Sequence, residues 1–195
     1  MVLENRRPGW IEVICGPMFA GKSEELIRRV KRMEYAHQKY ICFKPSIDNR
    51  YSNDEIVSHS NRKTKSINIQ CAKEIYKYLD NTYTAVVVDE IQFLDEDIIE
   101  VCSDLADKGY RVIVGGLDSD FKGEPFEITA KLMAKAEFVS KLTAICVKCG
   151  APGTRTQRIV NGKPASYYDP IIIVGASQLY EPRCRHCHEV PKTKN

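Results

Sequence analysis

The amino-acid sequence predicts an α/β fold: a parallel sheet flanked by helices, followed by a small cysteine-stapled lobe. Three observations predict it. Strand-like and helix-like segments alternate through the first half of the chain, a glycine-rich turn closes the first strand, and four of the eight cysteines form two C-x-x-C pairs near the end.

The elements follow in order. Trp10 to Cys15 is short, largely apolar and rich in Ile and Val, as a strand requires. From Lys22 to about His37, Leu26, Ile27, Val30 and Met33 recur at helical spacing beside a charged face. Tyr40 to Phe43 is a second strand. Ala72 to Leu79 reads as a short helix with Ile75, Tyr76 and Leu79 on one side. Ala85-Val-Val-Val-Asp89 is a continuous apolar run, the pattern of a parallel strand buried on both faces. Asp95 to Lys108 is helical, with Gly109 in the C′ position, and Arg111 to Gly115 is another buried strand. Such alternation implies right-handed crossovers and a doubly wound sheet. Ligands of these sheets bind at the carboxyl ends of the strands, so chemistry is expected just after Cys15, Asp89 and Gly115.

After about Lys141 the alternation stops, and Gly, Pro and Cys become frequent. Ile171-Ile-Ile-Val174 is one further apolar run. The chain therefore divides into an α/β domain, residues 1–142, and a cysteine lobe, residues 143–195.

Composition narrows the function. The 195 residues suffice for one domain with a real core and a small appendage. Hydrophobic residues make up 43% and charged residues 28%, as in soluble globular proteins. No apolar run approaches the roughly 20 residues that span a bilayer, and no signal-peptide core follows the charged start, so no membrane partner and a cytoplasmic location are expected. A net charge of +3 is too small for a protein that coats duplex DNA.

Gly16-Pro17-Met18-Phe19-Ala20-Gly21-Lys22-Ser23 matches G-x-x-x-x-G-K-[ST] between a strand and a helix. Its glycines let the backbone turn and aim N–H groups inward, where they and the positive end of the following helix cradle phosphates. Lys22 adds charge to the phosphates of ATP, and Ser23 offers a hydroxyl to Mg²⁺. Asp89, at the end of a buried strand, is placed to hold Mg²⁺ through water, and Glu90 reaches past it. Glu90 suits either of two reactions: orienting a water, as in an ATPase, or taking a proton from a substrate hydroxyl, as in a kinase. Lys44-Pro-Ser-Ile-Asp48-Asn-Arg50-Tyr offers an arginine for the transferring phosphoryl group, or an exposed structural loop.

The remaining chemistry lies in the cysteines. Cys146/Cys149 and Cys184/Cys187 supply four thiolates in two tight pairs, which suits structural Zn²⁺ in tetrahedral geometry. His186 and His188 flank the second pair and offer alternative ligands. The stretch between the pairs is long for a zinc ribbon. Pinned at both ends, it can serve as a lid over a small ligand, or simply pack on the sheet. Arg155, Arg158 and Lys163 are scattered along it without an aromatic-basic stripe, so no nucleic-acid partner is expected. Cys15 and Cys42 sit in apolar runs as small hydrophobes.

Together G-P-M-F-A-G-K-S, K-P-S-I-D-N-R-Y, V-D-E-I-Q-F, G-L-D-S-D-F-K-G-E-P-F, K-L-T-A-I-C-V-K-C and a final C-R-H-C resemble the cytosolic thymidine kinase family, in that family's order, over Trp10 to His188. The resemblance implies a P-loop, RecA-like parallel sheet with a zinc-stapled lasso lobe. The reaction implied is transfer of the γ-phosphate of ATP to the 5′-hydroxyl of thymidine, or deoxyuridine, in nucleotide salvage. Carried over position by position, Glu90 is the general base, and Gly16 to Ser23 bind ATP with Asp48, Arg50, Asp89 and Gln92. Met18, Phe93, Leu117, Phe121, Phe126, Thr156, Ile171, Ile173, Gly175 and Tyr180 form the thymidine pocket. Zinc falls to Cys146, Cys149, Cys184 and Cys187. The resemblance further implies a homotetramer and feedback inhibition by thymidine triphosphate (dTTP). Ala20 and Ser23 stand where the family often has Ser and Thr. Cys187 stands where vertebrate members have His, which points to a bacterial-type member. The competing readings are a P-loop ATPase with a regulatory zinc lobe and a non-catalytic nucleotide-binding module.

Overall fold

A computed structural model of the chain describes residues 8–46, 55–57, 63–171 and 179–192, with the backbone alone for 55–57 and 63. Asp48, Arg50, Ile173 and Gly175 lie outside the described residues.

Six strands form one parallel sheet in the order β5-β2-β6-β7-β1-β8. In chain order, β1 (Trp10–Gly16) leads to α1 (Lys22–Tyr35) and β2 (Tyr40–Pro45). Short strands β3 (Glu55–Val57) and β4 (Lys63–Lys65) pair with each other, and β5 (Ile67–Ile69) joins the main sheet. Then come β6 (Ala85–Val88), α2 (Asp97–Asp107), β7 (Arg111–Leu117), α3 (Glu127–Lys135) and β8 (Phe138–Lys141).

Both faces of the sheet are covered, and the period of two along each strand decides which residue goes where. Ile14, Cys42, Val87 and Ile113 pack under Leu26, Ile27, Val30 and Met33 of α1. Their strand neighbours Val13, Phe43, Val88 and Val114 face the other way, onto Ile98, Val101, Cys102 and Leu105 of α2 and Leu132 of α3. The uninterrupted apolar runs of β6 and β7 follow from this double burial. One charge sits beneath α1. Glu12 accepts hydrogen bonds from Arg29 at 2.5 Å, Arg111 at 2.6 Å and Trp10 at 2.7 Å. Burial opposes its ionisation, but these donors and the charges of both arginines hold its carboxyl below the usual value.

Several features differ from the sequence reading, and the short strands β3, β4 and β5 have no counterpart in it. The short helix read at Ala72 to Leu79 is a 3₁₀ helix, Ala72–Tyr78, with a different buried face. Its buried residues, Ala72 and Ile75, are three apart, the repeat of a 3₁₀ turn, whereas Tyr76 projects outward and bonds Asp104. Helix α3 and edge strand β8 have no counterpart in that reading. Only Thr129 and Leu132 of α3 are buried, and Phe138 and Val139 of β8 are exposed, so neither carries a strong periodic signal.

Beyond β8 the chain forms two small antiparallel sheets. One pairs β9 (Ala144–Ile145) with β10 (Pro152–Gly153). The other orders β11 (Arg155–Val160), β12 (Lys163–Pro164) and β13 (Leu179–Arg183) as β12-β11-β13. No helix among the described residues is long and apolar enough to cross a membrane.

Candidate active site

The loop after β1 turns through Gly16 at φ 146° and Gly21 at φ 81°, backbone conformations that glycine adopts without strain. A Cβ on Gly16 would also meet the Leu142 carbonyl oxygen at 2.5 Å. Lys22, the first residue of α1, is buried and donates from Nζ to the Pro17 carbonyl at 2.8 Å. Desolvation lowers its pKa, opposed by the nearby carboxylates of Glu90, Asp89 and Asp118. The loop thus holds a buried cation against its own backbone carbonyl.

Strand β6 delivers Asp89 to the same place. Its Oδ2 lies 3.4 Å from the Ser23 hydroxyl, and its Oδ1 accepts the Glu90 N–H at 2.9 Å. Strand β7 lies between β6 and β1 in the sheet, so the two can meet only if β7 leaves room. It does so with consecutive glycines. A Cβ on Gly115 would come within 2.9 Å of Asp89 Oδ1, and one on Gly116 within 2.8 Å of Gln92 Oε1. Ser23 and Asp89 form an oxygen pair of the kind that holds Mg²⁺ in phosphate-loop proteins, and no side chain separates them.

Glu90 has φ 53°, a left-handed conformation that is uncommon for a residue with a side chain. Beyond it the chain makes a 3₁₀ turn, Ile91–Phe93. Gln92 is buried and bridges two elements. Its Nε2 donates to the Glu90 carboxylate, and its Oε1 accepts the Leu117 N–H at 3.0 Å. Glu90 is therefore tethered through one amide to the end of β7. Gln92, grouped above with the ATP-binding residues, serves here as a clamp on Glu90.

The expected pocket residues come from several elements. Leu117 ends β7, and the turn after it carries Phe121, which is buried, and Phe126, which precedes α3. From the lobe, Thr156 accepts the Met18 N–H at 3.0 Å, joining β11 to the phosphate loop. Tyr180 lies on β13, opposite Arg158 of β11. Phe93 ends the turn after Glu90, and Ile171 is exposed at the end of a described run.

The four cysteine sulfurs lie within 4.8 Å of one another, with Cys149 and Cys184 at 3.6 Å. A tetrahedral zinc with Zn–S of about 2.3 Å spaces its sulfurs roughly 3.8 Å apart, so the set fits that ion. Burial works against the Cys146 thiolate, yet hydrogen bonds from the backbone at Cys184, Lys148 and Cys149 bring its pKa down to about 6. Hydrogen bonding with Cys184 and Cys149 pushes Cys187 up to about 12. Neither histidine belongs to the group. His186 is exposed, and His188 holds the Phe121 carbonyl through Nε2 at 2.9 Å. A carbonyl only accepts, so that nitrogen carries the proton.

Several residues of this site escape a reading of motifs. Asp118 is buried and paired with Lys141 at 3.0 Å, beside the phosphate loop. Gly115 and Gly116 were visible only as a strand end. Paired glycines inside an apolar strand are the available signal, because they mark close approach.

A family model described as thymidine kinase matches residues 9–188. Among solved structures, the chain resembles an ATPase domain with TM-score 0.51 and 11% identity, over 69% of each chain. It also matches the genome packaging NTPase B204 of Sulfolobus turreted icosahedral virus 2, in complex with ATP-gammaS. That match has TM-score 0.44 and 17% identity over 71% of this chain and 76% of that one.

Proposed function

The chain belongs to the thymidine kinase family of ATP-using transferases, and on that premise we propose that Glu90 accepts the proton of the thymidine 5′-hydroxyl as the γ-phosphate of ATP moves to that oxygen. One observation carries this reading: Glu90 is fixed by Gln92 to the end of β7 and stands next to the Ser23–Asp89 pair. A carboxylate held there reaches a hydroxyl approaching the phosphate loop from the side of Leu117 and Phe121.

The other roles follow from position. The loop Gly16 to Ser23, through the backbone N–H groups from Phe19 onward, and the Lys22 ammonium hold the triphosphate, for which Lys22 exchanges its bond to the Pro17 carbonyl. Ser23 and Asp89 would hold Mg²⁺, whose charge offsets that of the phosphate oxygens. Met18, Phe93, Leu117, Phe121 and Phe126 wall the nucleoside, with Thr156, Ile171 and Tyr180 contributed by the lobe. Thymine presents an imide edge and a methyl group. A pocket that pairs that edge with backbone groups leaves donors and acceptors unmatched when cytosine enters, so thymidine and deoxyuridine are accepted and deoxycytidine is not. Zn²⁺ on the four cysteines pins the lobe and takes no part in transfer. Family membership also supports a homotetramer, inhibition by dTTP, a role in salvage and a cytoplasmic location.

The acceptor atom is tested with 5′-deoxythymidine, which lacks the hydroxyl. It should compete with thymidine and receive no phosphate. Phosphorylation of this analogue would place the acceptor elsewhere on the nucleoside and remove Glu90 as its base.

A further inference from the structure

Arg158 is the largest side chain that the structure buries completely. It lies midway along β11, and its guanidinium stands over the Phe121 ring, 4.9 Å from the ring centre. Nη1 donates to the Pro170 carbonyl at 2.6 Å. Among the described residues, Nε and Nη2 are buried without a hydrogen-bond partner, and no carboxylate pairs with the group.

This is a poor way to stabilise a lobe. A buried cation that meets one carbonyl and one aromatic face recovers only part of its lost hydration, and an apolar side chain of similar volume fills such a space at lower cost. The charge must therefore act on its neighbours. Those neighbours are Phe121, in the turn after β7, and Pro170, in the lobe. The strand repeat adds a second observation. Thr156 and Arg158 are two apart, so they share a face of β11, and both reach loops at the ends of the main sheet: Thr156 to the Met18 N–H after β1, Arg158 to Phe121 after β7. His188 grips the Phe121 carbonyl from the same lobe. Phe121 is thus held at backbone and ring by residues of the zinc lobe.

We infer that Arg158 is a positioning residue of the nucleoside pocket: its planar guanidinium fixes the Phe121 ring as a wall against the base and ties that wall to Pro170. This rests on the nucleoside-pocket reading of Phe121 given above. A guanidinium can stack on a ring while donating in its own plane, which an ammonium cannot do. The inference is therefore specific to arginine.

Kinetics of the full-length, zinc-loaded chain test it. In Arg158→Met the KM for thymidine rises about tenfold, while kcat and the KM for ATP stay within about twofold. Arg158→Lys falls between that variant and the wild type. Phe121→Leu raises the thymidine KM too, and adding Arg158→Met to it gives no further rise, because both changes remove one contact. Zinc content stays at the wild-type level, and thermal stability is unchanged or higher. An unchanged thymidine KM in Arg158→Met overturns the inference. So do lost zinc with parallel losses in kcat and both KM values, which mark a structural role, and additivity of the two substitutions. Should Arg158→Met not fold, Arg158→Lys and its non-additivity with Phe121→Leu decide. A wild-type chain that does not phosphorylate thymidine removes the pocket reading, and the inference with it. An active wild type with an indifferent Arg158→Met removes the inference alone.

Discussion

The sheet and the zinc lobe place their side chains by opposite means. In the sheet, apolar residues on both faces lock six strands in register, and the polar groups of the site ride on strand ends that cannot shift. In the lobe the interior is polar: Thr156, Gln157, Arg158, Ser166 and Arg183 are buried, against Ala144, Ala165, Cys146 and Cys184. A segment of that size with so little apolar surface to bury needs a staple. Cysteine behaves differently in the two regions. Burial pushes Cys15 up to about 11 and Cys102 up to about 12, which keeps them thiols in the core, whereas backbone donors overcome burial to bring Cys146 down to about 6 in the lobe. The same residue type is filler in one region and ligand in the other. The site needs both regions, since the sheet supplies the phosphate chemistry and the lobe supplies Thr156 and the grip on Phe121.

That contrast can be broken from either side. The largest effect belongs to the sheet. Glu90→Gln should lower kcat by roughly 10²- to 10⁴-fold while ATP still binds, as read by nucleotide titration beside single-turnover transfer. Full activity would remove Glu90 as the base.

Next comes the staple. Stripping zinc with a chelator, or Cys184→Ser, should raise the KM for thymidine about tenfold or more, with the main unfolding transition of the sheet retained in calorimetry. Acid should release the metal as well. Ligand thiols must lose their protons to bind, so zinc content measured against pH falls as pH falls. Loss of the whole fold on chelation would erase the distinction between the regions.

Smaller effects probe the sheet alone. Gly115→Ala puts a methyl group 2.9 Å from Asp89 Oδ1 and 3.0 Å from Leu26 Cδ1. It should cost about 1–3 kcal/mol in urea unfolding and reduce kcat by displacing Asp89. Glu12→Gln should cost about 2 kcal/mol at neutral pH. The folded-state pKa of Glu12 is depressed, so its contribution is present above the ordinary carboxylate value of 4.5 and is lost as pH falls through the folded value. The wild type's advantage over Glu12→Gln should therefore shrink below about pH 4.5, and an advantage independent of pH would contradict the buried ion pair.

What could be read in advance followed the same division. β6 and the start of β7 were legible because double burial makes them apolar runs rich in Val and Ile, β1 because it is short and rich in Ile and Val around Glu12, and α1 because Leu26, Ile27, Val30 and Met33 repeat at helical spacing. The phosphate loop and the cysteine pairs were legible because their chemistry fixes both residue type and spacing. α3 and β8 were not, since an exposed edge strand and a thinly buried helix leave little periodicity. The short helix at Ala72–Tyr78 was legible, but its 3₁₀ type and buried face were not, because over seven residues a repeat of three and one of 3.6 scarcely differ. Gln92 was singled out for ATP and not as a clamp on Glu90, and Asp118 and Arg158 were given no role, because these contacts depend on partners distant in sequence: Leu117, Lys141 and Phe121.

The central claim is that the phosphate held by the loop after β1 goes to thymidine. ADP release from Mg-ATP, measured with thymidine, with deoxycytidine and with no nucleoside, tests it most directly. The account predicts ADP only with thymidine, matched by an equal amount of thymidine monophosphate. ADP released at one rate in all three would make water the acceptor and contradict it.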